Sequence, residues 1–188
     1  MNDVRDIMNS RHLIVAFPKV SQRNFGWIQT LRKKYDALSF NAIKPHFTLF
    51  SPSDEFSRKD LVDATTKSIE GFMSFNFMLR SAILMPPTGG DHSYIFLVPD
   101  EGLSSFVKLR DQIYAGPLAK SLRLDIPFVP HLTVGSTRNL QDGNQIIHEL
   151  NRQSFEIPGS IDSLSLVVED GDRIILVEEV PFYTGTKA

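Results

Sequence analysis

The chain of 188 residues contains no cysteine, so disulfide frameworks, thiolate zinc sites, iron–sulfur clusters and thiol nucleophiles are all excluded. No apolar run approaches the ~20 residues that a membrane-spanning helix needs, and nothing near Met1 resembles a signal peptide. The sequence also lacks a glycine-rich phosphate loop, a dinucleotide fingerprint and a Gly-x-Ser-x-Gly elbow. We therefore expect a cytoplasmic protein with no membrane partner, whose chemistry depends on other side chains.

An excess of charge of one sign is also missing, since the net charge is only −2. Residues 1–85 carry 12 Lys and Arg against 8 Asp and Glu, whereas residues 86–188 carry 8 against 14. A general binder of long duplex nucleic acid would be strongly basic, so this balance argues against that class. A short anionic ligand held by a few local cations fits it better. The hydrophobic fraction of 41% is sufficient for one ordinary core.

The residues that are present form alternating strand and helix patterns. In the first half these patterns cover 11–18, 21–38, 43–50, 57–72 and 75–84. In the second half the same alternation covers 92–98, 103–122, 128–135 and 139–151. Two closing strands, 163–169 and 173–180, are joined across Asp170-Gly171, which is a strong hairpin signal. The order strand–helix–strand–helix–strand therefore occurs twice.

This repetition predicts an α+β protein made of two lobes, each a diverged copy of one β-α-β-α-β unit. We expect the lobes to cover residues 11–85 and 91–183 of a single bilobal domain, 1–188, and to be related by a pseudo-twofold axis. The pattern leaves open whether the terminal strands are exchanged between the lobes. Two such lobes share a central cleft, and clefts of this kind are common ligand sites.

Each half contains the same five-residue pattern on a predicted strand, first as Pro45-His46-Phe47-Thr48-Leu49 and again 85 residues later as Pro130-His131-Leu132-Thr133-Val134. Because side chains alternate along a strand, the histidine and threonine of each motif share one face, about 7 Å apart. The apolar residues between them face the opposite side. A twofold axis between the lobes would bring both polar pairs to one cleft.

Two imidazoles that flank a pocket are well suited to phosphodiester chemistry. A neutral imidazole takes a proton from water or a hydroxyl, and a protonated one gives a proton to the leaving oxygen. An unperturbed pKa near 6.5 suits both tasks, each of which contributes on the order of 10²–10⁴ in rate. The hydroxyls of Thr48 and Thr133 can donate hydrogen bonds to the non-bridging phosphate oxygens. This chemistry needs no metal or other cofactor, and we expect none.

The paired His-x-Thr-x motifs in a duplicated α+β chain resemble the 2H phosphoesterase superfamily, which includes 2′-5′ RNA ligase-like and cyclic phosphodiesterase proteins. The resemblance covers nearly the whole chain, from the strand 13–17 to the closing Val180-Pro181-Phe182. The motifs are specific as a pair and weak singly.

The resemblance implies a bilobal fold and a hydrolase of RNA processing. It implies metal-independent opening of a 2′,3′-cyclic phosphate, or of a related cyclic or 2′-5′ linkage, at a small nucleotide or an RNA 3′ end. It also implies a 2′-phosphate product and catalytic roles for His46, Thr48, His131 and Thr133. Which histidine is the acid and which the base stays open, as does the physiological substrate.

Other interpretations of the motifs exist. The chain could be a non-catalytic module that binds RNA ends or nucleotides, or it could run the reverse reaction and ligate RNA. The histidines could be structural, or they could bind zinc. A zinc site needs at least one further ligand, and the nearest acid, Asp125, lies six residues before His131 without the close spacing of a metallohydrolase.

Further candidates lie near the motifs. Lys44 and Arg138 flank the two motif strands and are candidates for binding a phosphate, and Tyr94 is a candidate for stacking on a base. We expect the cluster Arg32-Lys33-Lys34 to lie on a helix surface, where it could contact a longer RNA. A monomer is the simplest assembly.

Overall fold

The computed structural model describes residues 11–87, 90–170 and 173–183. Its α-helices are α1 (Gln22–Tyr35), α2 (Arg58–Ser68), α3 (Leu103–Ile113) and α4 (Leu140–Arg152), with a 3₁₀ helix at Gly116–Ser121. Its strands are β1 (His12–Ala16), β2 (Lys19–Val20), β3 (Phe47–Ser53), β4 (Phe75–Met85), β5 (Ser93–Glu101), β6 (Leu132–Thr137), β7 (Ile157–Ile161), β8 (Ser163–Asp170) and β9 (Arg173–Pro181). None of the described helices is long and apolar enough to cross a membrane.

Two antiparallel sheets organise the fold. One has the strand order β3-β1-β8-β9, and the other has the order β2-β7-β4-β5-β6. The strand β4, which closes the first half of the sequence, pairs with β5 and β7 in the second sheet. The hairpin β8–β9, which closes the second half, pairs with β1 in the first sheet. The expected α+β fold is confirmed, and both motif strands, β3 and β6, lie at sheet edges.

The larger of two apolar clusters among the described residues lies against both sheets. Its centre is aromatic, because Phe47 of β3 contacts Phe77 of β4 and Phe106 of α3 at centroid distances of 5.2 and 4.3 Å. Each of the three rings is at most 2% exposed. Rings packed this way contribute dispersion energy in addition to the free energy of removing their area from water. The apolar side of the first motif is thereby fixed in place.

Helices from one half of the sequence pack on motif strands from the other half. The helix α3 packs on β3, and α1 packs on β6. The approach of α1 to β6 is close, since a Cβ atom placed on Gly135 would lie 2.8 Å from the Cβ of Tyr35. A side chain at this position of β6 would therefore push α1 away from the second motif strand.

The expected helix starts are confirmed at two serines. The Ser21 hydroxyl accepts a hydrogen bond from the backbone N–H of Asn24 at 3.2 Å. Ser57 caps α2 in the same way, and the Asp60 carboxylate accepts from the backbone N–H of Ser57, which completes a capping box. Each cap satisfies backbone donors that a helix leaves without an internal partner.

Several predicted boundaries were wrong. The strands β3 and β6 start at Phe47 and Leu132, later than expected, because the prolines at 45 and 130 cannot donate to a sheet ladder. The predicted helix 103–122 ends at Ile113, and a separate 3₁₀ helix begins at Gly116, whose φ is +76°. The closing hairpin is confirmed, although its expected Asp170-Gly171 turn extends outside the described residues.

Two strands were missed by the sequence analysis. The strand β2 has only two residues, and its partner β7 contains a proline and a glycine that obscure the apolar pattern. Neither segment therefore carries the periodicity on which strand prediction depends.

Candidate active site

The two motifs occupy equivalent positions in the two sheets. Thr48 of β3 pairs with Val15 of β1, and Thr133 of β6 pairs with Phe96 of β5. In both motifs the proline and the two apolar residues are buried, whereas the histidine and the threonine are half-buried. The alternation predicted from strand geometry is therefore present, with the polar pair of each motif on the face opposite the core.

Each imidazole is held by the backbone of its own motif. His46 Nδ1 lies 2.8 Å from the carbonyl oxygen of Lys44, and His131 Nδ1 lies 2.6 Å from that of Val129. A carbonyl only accepts, so in both rings the proton is on Nδ1, which donates. The Nε2 atom of each neutral ring then carries a lone pair that can take a proton. The same contact at the same offset fixes both rings in the tautomer that a general base requires.

Burial changes the acid–base behaviour of both rings. Desolvation lowers the pKa of His46 and of His131 from 6.5 to about 4, although the backbone hydrogen bond to each ring acts in the opposite direction. The positive charge of protonated His46 lowers the pKa of His131 further, so the two imidazoles are close enough to interact electrostatically. The unperturbed pKa near 6.5 that the motifs suggested is therefore corrected by the structure. Both free imidazoles are neutral at neutral pH.

The surroundings of the two rings differ. The His131 ring stacks on Phe96 with a centroid distance of 3.5 Å and an interplanar angle of 14°. His46 contacts Phe17 in a T-shaped arrangement at 6.3 Å, and the positive charge of Arg32 lowers its pKa. An aromatic face favours a cation, whereas a nearby guanidinium disfavours one. The two rings therefore have different aromatic and charged neighbours, while burial lowers the pKa of each to about 4.

A cavity of about 330 Å³ joins the two motif strands, since both Thr48 and His131 line it. Its wall also contains Arg110 from α3, together with Tyr114, which caps the end of that helix. Arg110 was not among the site residues predicted from the sequence. Its spacing of four residues from Phe106 and from Tyr114 was a usable signal, because that spacing puts a cation in an aromatic row on one helix face. The volume is at the small end of the range of ligand pockets.

His46 borders a separate cavity of about 620 Å³ that is also lined by loop residues after α1, including Ser39 and Ile43. The structure therefore places Thr48 and His131 on one cavity and His46 on the next. The positive charge of protonated His46 nevertheless lowers the pKa of His131, so the two imidazoles interact electrostatically although they line different cavities.

The other predicted binding residues lie at three different places. The Lys44 side chain is exposed and lines a further cavity of about 550 Å³ with Phe17. Tyr94 stacks on Phe96 at 6.2 Å, which extends the row that begins with His131. Arg138 lies past the far end of β6 from His131, where its Nε donates to Asp91 at 2.7 Å. The structure thus brings Tyr94 near the motif and leaves Arg138 distant from it.

Among residues 11–87, 90–170 and 173–183, no three His, Asp or Glu side chains converge to form a metal site. Asp125, the nearest acid before the second motif, is bound to Arg123 by two hydrogen bonds of 2.7 and 2.5 Å. The donors near the motifs are therefore the two imidazoles, the hydroxyls and the cations described above.

The lowered pKa values predict how stability depends on pH. A histidine in the unfolded chain has a pKa of ~6.5, whereas burial lowers the pKa of the two folded rings to about 4. Between these values the unfolded state binds more protons, so the two rings contribute stability above pH 6.5 that is lost as the pH falls to about 4. We expect the free energy of unfolding, measured in urea from pH 7 to 4, to fall less steeply in a His46→Asn/His131→Asn variant than in the wild type.

The control for this prediction is the variant His148→Asn, which changes an exposed side chain on α4. We expect its free energy of unfolding to depend on pH as that of the wild type does. The carboxylates titrate in the same range, but they are common to all three proteins and cancel in the comparison. The same pH slope in the double variant and the wild type would contradict the desolvation of the two rings.

Comparisons with known proteins agree with this fold. A family model described as the 2′-5′ RNA ligase superfamily matches residues 18–173. The match covers most of the chain, which therefore belongs to the 2′-5′ RNA ligase superfamily. The superfamily expected from the paired motifs is confirmed, and the roles of the four motif residues stay predictions. A search of curated proteins finds no sequence match.

Solved structures share the fold at low sequence identity. The protein TT0787 of Thermus thermophilus is 17% identical, with a TM-score of 0.56 and coverage of 92% of this chain and 97% of that one. Usb1 of Kluyveromyces marxianus is 11% identical, with a TM-score of 0.52 and coverage of 92% and 98%; it has also been solved with uridine monophosphate. A protein described as a phosphoesterase is 13% identical, with a TM-score of 0.52 and coverage of 93% and 99%. These similarities extend over nearly the whole of each chain.

Proposed function

We propose that the protein is a metal-independent phosphodiesterase that opens a 2′,3′-cyclic phosphate on a small nucleotide or an RNA 3′ end. The observation that carries the proposal is the matched pair of imidazoles, each with Nδ1 bound to its own backbone and Nε2 left to exchange a proton. Membership of the 2′-5′ RNA ligase superfamily supports phosphodiester chemistry on RNA. Usb1, which shares the fold, has been solved with uridine monophosphate, and a nucleotide is the ligand proposed here.

In the proposed reaction, Nε2 of one neutral imidazole takes a proton from water as the water oxygen attacks phosphorus. The bond from phosphorus to the 3′ oxygen breaks, and that oxygen takes the proton from Nε2 of the other, protonated imidazole. The product carries a 2′-phosphate and a free 3′-hydroxyl. The hydroxyls of Thr48 and Thr133 donate to the non-bridging oxygens, where negative charge is concentrated in the transition state.

The different surroundings of the rings support an assignment of roles. His131 stacks on the face of Phe96, which favours its protonated form, so we assign it as the acid. The positive charge of Arg32 disfavours protonation of His46, so we assign His46 as the base. The reaction needs one of the two imidazoles to be protonated. A phosphate anion bound between the rings favours this state, because a nearby negative charge raises the pKa of an imidazole.

The experiment that tests the proposal is phosphorus NMR of the purified protein with the four nucleoside 2′,3′-cyclic monophosphates in the presence of EDTA. We expect the signal of the cyclic phosphate to be replaced by that of a 2′-phosphate monoester, at a rate that EDTA does not change. General acid–base catalysis needs only the two imidazoles, so the removal of metal ions leaves it intact.

Each other outcome identifies a different alternative. Loss of turnover in EDTA would contradict the metal-independent reaction, and a 3′-phosphate product would contradict the bond assignment. Binding of the nucleotides without any ring opening would favour the non-catalytic module. Added RNA with a 5′-hydroxyl end tests the reverse reaction, because ligation would convert the cyclic end into a phosphodiester signal.

A further inference from the structure

The cavity that Thr48 and His131 share contains a cation that the proposed chemistry does not use. Arg110 reaches this cavity from α3, and its side chain is half-buried. The guanidinium carbon lies 4.9 Å from the ring centroid of Tyr114 and 4.6 Å from that of Phe128. Two aromatic rings therefore hold the guanidinium at the cavity wall. Because they already restrict the Arg110 side chain, it loses less conformational entropy when an anion binds.

Arg110 has no carboxylate within 4.0 Å among the residues that the structure describes. The second cation of the same cavity, Arg123, differs in this respect, because Asp125 binds it with two hydrogen bonds and both side chains are exposed. The charge of Arg123 is thus already compensated. Arg110 is a half-buried cation whose planar N–H groups can still donate to an oxyanion, for which a guanidinium has the matching geometry.

We propose that Arg110 binds a second phosphate of the substrate, so that the preferred substrate is a nucleoside 2′,3′-cyclic phosphate with a further phosphate on its 5′ oxygen. This inference rests on the proposed function, since it places the cyclic phosphate beside His131 and Thr48. A cavity of about 330 Å³ holds one nucleotide-sized ligand, so both phosphates of one nucleotide lie within it. A 5′-phosphorylated mononucleotide and the terminal nucleotide of an RNA chain both present this chemistry.

The test compares kcat/KM for three substrates: adenosine 2′,3′-cyclic phosphate, the same nucleotide with a 5′-phosphate, and a dinucleotide that ends in a 2′,3′-cyclic phosphate. In the wild type we expect the second phosphate to raise kcat/KM about tenfold or more, the usual size of a charge-assisted hydrogen bond. In Arg110→Gln we expect this preference to disappear, because kcat/KM for the nucleotide with the second phosphate falls about tenfold further than kcat/KM for the unphosphorylated cyclic nucleotide. A larger increase in kcat/KM with the 5′-phosphorylated nucleotide indicates a mononucleotide substrate. A larger increase with the dinucleotide indicates the terminal nucleotide of an RNA chain.

Two further variants separate binding from folding. Arg110→Lys keeps the charge without the planar fork, and we expect it to retain part of the preference. Lys108→Gln removes an exposed charge from the same helix and is expected to leave all three substrates unaffected. A wild type that opens the cyclic monophosphate without preferring the second phosphate would overturn this inference and leave the proposed function standing. An equal loss on all three substrates in Arg110→Gln would also overturn it.

If the wild type opens none of the three substrates, the proposed function fails and calorimetry decides the inference separately. The probes are adenosine 2′,5′-bisphosphate and adenosine 2′-monophosphate. The second phosphate site is supported if the wild type binds the bisphosphate about tenfold more tightly than the monophosphate. Arg110→Gln should then bind the bisphosphate only as tightly as it binds the monophosphate. Equal affinity of the two probes, or of the two proteins for the bisphosphate, refutes it.

Discussion

Replacement of either motif histidine with asparagine is expected to reduce ring opening of a 2′,3′-cyclic nucleotide by a factor on the order of 10²–10⁴. Asparagine retains an N–H group near Nδ1, so the contact with the carbonyl of Lys44 or Val129 can persist while the proton-transfer atom Nε2 is lost. His46→Asn and His131→Asn therefore remove the chemistry with little change in the hydrogen bonding of the strand. Measurement of kcat/KM by phosphorus NMR, with thermal unfolding as a check on the fold, tests this expectation.

The pH profile distinguishes the two roles. Since burial lowers both pKa values to about 4, we expect the wild-type profile of kcat/KM, which reports the free enzyme, to be centred well below pH 6.5. His46→Asn should lose the rise on the acidic side, because the base is missing. His131→Asn should lose the fall on the alkaline side, because the acid is missing.

The matched control is again His148→Asn, whose side chain is exposed on α4 and distant from the motifs in sequence. It should turn over cyclic nucleotides at the wild-type rate. Wild-type activity in either motif variant would refute two-histidine catalysis. If His46→Asn instead loses the fall on the alkaline side and His131→Asn loses the rise on the acidic side, only the assignment of acid and base is refuted.

The variant Asp36→Asn is expected to lower the free energy of unfolding by about 3–5 kcal/mol, because it leaves a buried cation without its counter-ion. Arg32 and Asp36 are each 1% exposed, and Arg32 Nε donates to Asp36 Oδ2 at 3.1 Å. The Arg32–Asp36 pair also forms hydrogen bonds to the loop that leads from α1 to the first motif. Arg32 Nη2 donates to the carbonyl of Ser39 at 2.9 Å, and the Ser39 N–H donates to Asp36 Oδ1 at 3.2 Å.

Urea unfolding of single and double variants measures this effect. The double variant Arg32→Met/Asp36→Ala should be less destabilised than the sum of its single variants, because it removes both charges together. The exposed pair Lys59–Asp63 on α2 has the same spacing of four residues, and Asp63→Asn should cost less than about 1 kcal/mol. Similar costs for Asp36→Asn and Asp63→Asn would show that burial of the first pair has no energetic consequence.

The buried pair shows where sequence reasoning failed. The cluster Arg32-Lys33-Lys34 was expected on a helix surface, and this prediction was wrong for Arg32. Lys33 and Lys34 are exposed, whereas Arg32 lies under the loop after α1 and is bound there to Asp36. A run of three cations gives no sign of which one a loop will cover. Only the path of the chain after α1 decides it.

The motifs are the opposite case, because strand geometry alone predicted their arrangement. The alternation of Pro-His-apolar-Thr-apolar specifies which side chains face the core, and the structure buries the expected ones in both motifs. Repetition of the pattern predicted the superfamily, and the family match confirmed it. Local sequence was sufficient here, since side-chain direction in a strand is fixed by the backbone and not by distant contacts.

The sequence by itself therefore determined the α+β class, most helices and strands, and the polar face of each motif. The tertiary structure decided three further properties. It set the pKa of both imidazoles, because desolvation depends on what covers a ring. It stacked His131 on Phe96, which distinguishes two otherwise equivalent motifs. It brought Arg110 from a helix onto the cavity of the second motif, because such contacts depend on how helices pack across the sheets, which local periodicity does not encode.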